Sequence, residues 1–182
     1  MSIQKFCYDD VFILSEKLNT GKYAAVLPTD TVIGIISHNK DLIYKIKNRP
    51  LEKKLVLLVP NANCISNLLP KEKEVINKYW PGSLTIVKDK IAYRMPNHKD
   101  LLTLLEFTGP IYSSSANISG KEPIKNTLDA QSVFSQNIDS LLIVKGEALS
   151  DTPSTIVDLD EKKVLRNGKI DGNKIIKEIC HQ

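Results

Sequence analysis

The sequence predicts a single α/β domain in which a twisted, mixed β-sheet and flanking helices surround a basic cavity. Short apolar runs of strand length alternate with segments of helical spacing along all 182 residues, which is typical of α/β proteins. Some neighbouring runs are joined by turns too short to hold a helix, and such pairs favour a mixed sheet over a purely parallel one. No linker or break in composition divides the chain, so we expect one domain over residues 1–182.

In the first half of the chain, each element has its own local signal. Val11, Leu14 and Leu18 have helical spacing, with Asp9 or Asp10 as the N-cap. Apolar runs of strand length predict the strands, and Pro50 and Pro70 interrupt the helical pattern. The other predicted elements are strands at 23–27, 32–36 and 55–59, a helix at 41–48, and two helical pieces on either side of Pro70, the second reaching Trp80.

The second half of the chain begins with a predicted hairpin. Residues 84–87 and 91–94 are apolar runs joined by a three-residue turn, a spacing typical of paired antiparallel strands. The predicted elements that follow are a helix at 100–107, a strand leading into residues 113–115, a helix capped by Thr127 or Asp129, strands at 141–144, 155–159 and 164–165, and a last helix marked by Ile175, Ile176 and Ile179.

Composition and motifs exclude several classes of protein. The longest apolar runs are of strand length, so no segment is predicted to span a membrane, and we expect no signal peptide and a cytoplasmic location. Cys7, Cys64 and Cys180 are far apart and form no CxxC pair, which argues against a zinc site or a redox dithiol. The phosphate-binding loops GxxxxGK[ST] and GxGxxG do not occur, so those two routes to nucleotide binding are excluded.

Arginine is scarce in this chain. Only Arg49, Arg94 and Arg166 are arginines among the 25 basic residues. The planar guanidinium grips a carboxylate or phosphate with two parallel hydrogen bonds, which lysine cannot do. The three positions therefore predict anion binding, although three chance survivors of a lysine-rich codon bias would leave the same pattern.

Four polar segments lie at the ends of predicted strands and helices, where a rigid scaffold can hold side chains over a crevice. Each has a purely structural alternative: a turn, favourable charge at a helix end, or a flexible serine-rich loop. Together with the arginines, however, they predict an anion-binding crevice that works by positioning and charge neutralisation, as in phosphoryl or nucleotidyl transfer. The segments are residues 28–31, 47–50, 113–120 and 153–158.

Seven motifs in register resemble the YrdC-type threonylcarbamoyl-AMP synthases. They cover nearly the whole chain, and we expect the short, single-domain bacterial form, since the chain ends soon after the last motif. The motifs are PTDTVIG (28–34), KNRP (47–50), WPGSLT (80–85), YRMPNH (93–98), SSSANISG (113–120), PSTIVD (153–158) and LRNG (165–168).

The resemblance implies a specific reaction. Such enzymes, which are nucleotidyltransferases, convert L-threonine, bicarbonate and ATP into threonylcarbamoyl-adenylate and pyrophosphate. A separate tRNA threonylcarbamoyltransferase complex, a transient partner, then completes the t6A modification. The implied threonine-binding residues are Thr31, Arg94, Ser113 and Ser154; the implied ATP-binding residues are Lys47, Arg49, Ser115, Asn117 and Arg166, of which Lys47 and Arg49 are also expected to be catalytic.

The resemblance also implies that Mg²⁺ accompanies ATP. No carboxylate cluster identifies its ligands, so the metal site stays unassigned, with Asp30 and Asp158 as candidates and the phosphates and water as the main ligands. The chain departs from the family pattern at Ile33, at Ser83 and at Lys54–Leu55, which leaves the lining of the threonine pocket open. Lys53 either faces the site or is solvated.

Two other functions fit part of the sequence. An RNA-binding module would suit tRNA modification, but a net charge of +4 and 6% aromatic residues favour at most weak RNA binding. Carbamoyl-adenylate chemistry, as in the related domain of hydrogenase-maturation carbamoyltransferases, would require additional modules, for which this chain has neither the length nor the cysteines.

Overall fold

The protein forms one ten-stranded mixed sheet with helices packed on it. The computed structural model describes residues 4–180, and of residues 137 and 138 only the backbone. The strands are β1 (Gln4–Phe6), β2 (Ala24–Leu27), β3 (Gly34–Ser37), β4 (Val56–Leu58), β5 (Leu84–Lys88), β6 (Ile91–Arg94), β7 (Ile111–Ser115), β8 (Leu141–Val144), β9 (Thr155–Asp158) and β10 (Lys163–Arg166). The helices are α1 (Val11–Asn19), α2 (Lys40–Lys47), α3 (Pro70–Tyr79), α4 (Lys99–Thr108), α5 (Ala130–Val133) and α6 (Gly172–Cys180).

The strand order is β1-β8-β2-β3-β7-β4-β6-β5-β9-β10. Parallel pairs, such as β2 with β8 and β4 with β6, are mixed with antiparallel pairs, such as β3 with β7 and β5 with β6. The predicted α/β class and mixed sheet are therefore confirmed. The predicted hairpin is β5–β6, and Asp89 and Lys90 in its turn both have positive φ, the backbone of a type I′ turn that matches the twist of the strands.

Apolar side chains form three core clusters that fasten the helices to the sheet. The first packs α1 and α4 against strands around β2 and β3, with Leu14, Leu18 and Leu104 fully buried. The second includes α2 and α5 and is centred on Ile43 and Phe134. The third packs α3 and α6 against β5, β6 and β9. These clusters make the sheet a rigid support for the polar segments at the strand ends.

The structure differs from the predicted secondary structure in three places. Strand β1 was not predicted, because three residues are too few to display an alternation. The first helical piece before Pro70 is only the 3-10 turn Ala62–Cys64, and the helix expected from Thr127 or Asp129 is a 3-10 turn followed by the single turn α5. Short helices of this kind depend on tertiary packing, which periodicity does not report. Among the helices of residues 4–180, none is both long and apolar enough to cross a membrane.

Candidate functional site

A cavity of about 410 Å³ opens on one side of the sheet and is lined by strands β3 to β7, β9 and β10 and by the loops beside them. Eight of the nine predicted site residues contribute to its wall; the ninth, Lys47, lies behind it. Those eight are Thr31, Arg49, Arg94, Ser113, Ser115, Asn117, Ser154 and Arg166. The sheet thus brings together residues from six of the motifs, and the first and last of these residues, Thr31 and Arg166, are 135 positions apart in the sequence.

Arg94 ends strand β6 and is a buried residue of the cavity wall. Its Nη2 forms a buried ion pair with the Asp30 carboxylate, its Nη1 donates to Thr31 Oγ1 at 2.8 Å, and its Nε donates to the Gly82 carbonyl at 3.1 Å. Burial lowers the pKa of Arg94, and the negative charge of Asp30 opposes that shift. An arginine pKa starts so high that the group stays charged.

Lys47 is fully buried, although the sequence placed it at the frayed end of a helix. Helix α2 ends there because Asn48 adopts a left-handed conformation, and the Lys47 side chain reaches the end of strand β7. Its ammonium donates to the Ser115 carbonyl, to the Asn117 carbonyl at 2.7 Å and to Asn117 Oδ1 at 2.9 Å. Burial, with the charge of Arg49 acting in the same direction, lowers its pKa to about 7.

The segment that Lys47 supports is itself closely hydrogen bonded. Ser115 Oγ donates to Asn117 Oδ1 at 2.6 Å, and the Asn117 amide donates to the carbonyls of Ile118 and Lys121. The serine-rich loop is therefore an ordered turn and not a flexible linker. Ser113, Ser114, Ser115 and Asn117 line the cavity, and Lys47 holds this segment in place from behind.

Arg49 braces the turn that follows it. Its Nε donates to the Lys53 carbonyl at 2.9 Å and its Nη2 donates to the Lys54 carbonyl at 2.8 Å. Nε and Nη2 thus donate to carbonyl groups of the protein itself, which leaves the N–H groups of Nη1 to donate to a ligand. Lys54, rather than Lys53, lines the cavity, and its ammonium donates to the Lys90 carbonyl at 3.1 Å.

Ser154 and Arg166 meet in the wall of the same cavity. Arg166 donates from Nε to the Ser154 carbonyl at 3.0 Å and from Nη2 to Ser154 Oγ at 3.2 Å. Thr85 Oγ1 lies 2.7 Å from Ser154 Oγ and is fully buried. Burial, followed by the charge of Arg94, lowers the pKa of Arg166. A residue predicted for threonine and one predicted for ATP are therefore in direct contact.

The cavity wall is predominantly cationic, as predicted. Five cationic side chains face two carboxylates, so the wall favours a ligand with several negative charges. The cations are Arg49, Lys54, Arg94, Lys121 and Arg166, and the carboxylates are Glu122 and Asp151.

Some lining residues were not predicted from the sequence. Thr29 and Thr85 lie inside quoted motifs, and a polar residue within the buried strand β5 was a signal that could have identified Thr85. Lys121 and Glu122 belong to a stretch that reads as a loop, where no periodicity indicates which side chains turn inward. These residues were missed because the direction of a loop side chain depends on tertiary packing.

The two carboxylates considered for a metal are held elsewhere. Asp30 is paired with Arg94, and Asp158 Oδ1 accepts from the backbone amides of Asp160 and Glu161 in the turn between β9 and β10. Within the described part of the chain, histidine, cysteine and carboxylate side chains form no group of three that could hold a metal ion. Glu122 and Asp151 are the carboxylates that reach the cavity.

Comparison with known proteins gives consistent matches. The family model Sua5–YciO–YrdC, described as telomere recombination, matches residues 16–168. A Pseudomonas aeruginosa protein named threonylcarbamoyl-AMP synthase is 30% identical over 164 residues, covering 76% of this chain and 87% of that protein. The Mycoplasma genitalium protein MG259 is 31% identical over 146 residues, covering 79% of this chain but 32% of that protein.

A solved structure agrees with the whole fold. The crystal structure of Pyrococcus abyssi Sua5 complexed with L-threonine superposes with a TM-score of 0.82 at 25% sequence identity, covering 100% of this chain and 61% of that one. The chain spans about a third of the first curated relatives that it matches. The fold is therefore shared over a region that several of these relatives extend.

Proposed function

Since the chain belongs to the Sua5–YciO–YrdC family, we propose that it is a threonylcarbamoyl-AMP synthase, a nucleotidyltransferase that uses L-threonine, bicarbonate and ATP. The observation that carries the proposal is that all three arginines of the chain meet hydroxyl and amide groups in one cavity. Its volume, about 410 Å³, lies in the range of small-molecule sites. The name of the Pseudomonas aeruginosa relative supports the same assignment.

The amino acid is proposed to lie near Thr31, Arg94, Ser113 and Ser154. Arg94 would attract the threonine carboxylate with the N–H groups that its contacts to the chain leave over. Those contacts, to Asp30 and to Thr31, hold the guanidinium in one orientation before the ligand arrives. A donor fixed in advance loses little conformational entropy on binding.

The nucleotide is proposed to lie against Arg49, Ser115, Asn117 and Arg166. The threonine amine condenses with bicarbonate, so that a C–N bond forms and water leaves. An oxygen of the resulting carbamate attacks the α-phosphorus, the bond from that phosphorus to the bridging oxygen breaks, and pyrophosphate leaves. Both reactants are anions, so the cations of the wall must offset their repulsion and the charge that develops on the leaving group. Lys47 is proposed to contribute from behind, by holding Ser115 and Asn117 in place.

Mg²⁺ is proposed to enter with ATP. Magnesium is usually bound by one or two carboxylates together with phosphates and water, and Glu122 and Asp151 on the wall fit that pattern. When bound, the ion would neutralise charge on the phosphates. We further propose that the protein acts in the cytoplasm and passes its product to a tRNA threonylcarbamoyltransferase complex. Direct contact with RNA is proposed to be weak at most.

The proposal is tested by following pyrophosphate release from ATP with Mg²⁺ present. We expect release only when both L-threonine and bicarbonate are added, with labelled threonine appearing in threonylcarbamoyl-AMP. A matched control is Lys71→Ala, which removes an exposed cation of α3 that does not line the cavity. ATP cleavage at the same rate without threonine would show that the assigned reaction is wrong.

A further inference from the structure

In the hydrogen bond between the Thr29 and Thr31 hydroxyl groups, only Thr31 can be the donor. Thr29 Oγ1 lies 2.8 Å from the Val32 carbonyl oxygen, which can only accept. The single proton of Thr29 is therefore used in that bond. Thr31 Oγ1 lies 3.1 Å from Thr29 Oγ1, so the proton between the two hydroxyls must come from Thr31.

The remaining capacity of Thr31 follows from the same count. Its proton goes to Thr29, and one of its two lone pairs accepts from Arg94 Nη1 at 2.8 Å. One lone pair is left, and no proton is left to donate. Thr29 and Thr31 are 4% and 2% exposed and both line the cavity, so bulk water does not rearrange these bonds. Toward a ligand, Thr31 presents only an acceptor.

We infer that Thr29 is a positioning residue that determines amino-acid specificity: by taking the proton of Thr31, it makes Thr31 an acceptor for the side-chain hydroxyl of the substrate. The inference rests on the proposed function. A carboxylate or phosphate oxygen has no proton to offer this acceptor, and an amine is common to every amino acid. The hydroxyl is the donor that distinguishes threonine from valine, which has the same shape.

The first test compares Thr29→Val with Thr29→Ser. The measurement is the ratio of the Kd for valine to the Kd for threonine, by titration calorimetry with a non-hydrolysable ATP analogue present. The serine variant keeps the hydroxyl, so its ratio should lie within about threefold of the wild-type ratio. The valine variant frees the Thr31 proton and removes the acceptor of the Thr31 backbone amide, which donates to Thr29 Oγ1 at 3.0 Å in the wild type, so we expect the ratio to fall by ~10-fold or more.

A purely structural role for Thr29 would weaken binding of both amino acids and leave their ratio unchanged, which would overturn the inference. A fall in both variants would overturn it too, because the serine variant lacks only the methyl group. Threonine binding by the wild type is measured in the same series. If the wild type does not bind threonine at all, the proposed function fails, whereas an unchanged ratio refutes only the role of Thr29.

A second measurement needs no variant and therefore does not depend on folding of Thr29→Val. In 2-amino-3-fluorobutanoate, fluorine replaces the hydroxyl of threonine and can accept but not donate. If Thr31 is an acceptor, this compound should bind the wild-type protein no more tightly than valine does. Binding within about threefold of threonine would mean that Thr31 donates, and would refute the inference.

Discussion

The ammonium of Lys47 lies 2.9 Å from Oδ1 of Asn117 and 2.7 Å from the backbone oxygen of the same residue. The two residues are 70 positions apart in sequence, and the contact joins the end of α2 to the turn after β7. A buried ammonium is stable only when its protons are taken by acceptors. Lys47 is thus a structural support of the site as well as a member of its motif.

The depressed pKa of Lys47 predicts a pH dependence of stability. The unfolded chain holds this proton up to about pH 10, whereas in the folded chain the pKa is lowered to about 7. Between these values the unfolded state binds more protons, so the free energy of unfolding should rise with pH by up to about 1.4 kcal/mol per unit. Urea denaturation from pH 6 to 9 measures this slope.

Other groups titrate over the same pH range, so the contribution of Lys47 to the slope is obtained by comparing the wild type with variants. Lys47→Met should remove it, while Lys45→Met, an exposed lysine of the same helix, should retain it. Equal slopes in the wild type and in Lys47→Met would show that Lys47 keeps an ordinary pKa.

Arg49 should be required for synthesis but not for folding. Arg49→Ala removes a cation from the wall, and we expect threonylcarbamoyl-AMP formation to be lost while the circular dichroism spectrum is unchanged. Arg49→Lys keeps the charge but cannot hold the two carbonyls of Lys53 and Lys54 with one planar group, so we expect a loss of ~10-fold or more. Lys71→Ala is the matched control, and full activity in Arg49→Lys would refute this role of the guanidinium.

The ion pair between Asp30 and Arg94 should stabilise the fold measurably. Both side chains are 9% exposed, and removal of one member of a buried pair leaves an uncompensated charge, which costs about 3–5 kcal/mol. We therefore expect Asp30→Ala to lower the free energy of unfolding by about 3 kcal/mol in urea denaturation. A double-mutant cycle with Arg94→Leu isolates the coupling between the two groups.

The exposed pair Lys71–Glu74 provides the comparison for that measurement. Its side chains are 48% and 66% exposed, and Lys71→Ala should change stability by about 0.5 kcal/mol or less. If Asp30→Ala is no more costly than Lys71→Ala, the pair with Arg94 contributes little to the fold.

The amino-acid preference should follow the hydroxyl groups of the cavity. Thr31, Ser113 and Ser154 line it, and valine would leave such buried polar groups unpaired. A mismatch of this kind discriminates by ~10⁴-fold, whereas serine, which lacks one methyl group, should lose only ~10- to 200-fold. Kinetics with threonine, serine and valine at equal concentrations decide the order, and valine outperforming serine would mean an apolar pocket.

Much of the fold could be predicted from the sequence because its signals are local. The β5–β6 hairpin follows from two apolar runs around Lys88, Asp89 and Lys90, all within eleven residues. The motifs likewise identified eight residues that line the cavity. Strand β1 could not be predicted in this way, because its three residues are defined by parallel pairing with β8, more than 130 positions away.

The roles of the individual charged groups required the tertiary structure. The sequence by itself determined the mixed α/β class, the scarcity of arginine and the polar segments at strand ends. These features can be seen without the fold, because they depend only on composition and on the order of neighbouring residues. Only the folded chain decided that Lys47 is buried behind the wall, that Asp30 pairs with Arg94 and that Lys54 rather than Lys53 reaches the cavity. The physical reason is that burial and ion pairing determine how stable a charged side chain is. Both depend on groups that the fold brings together from distant segments.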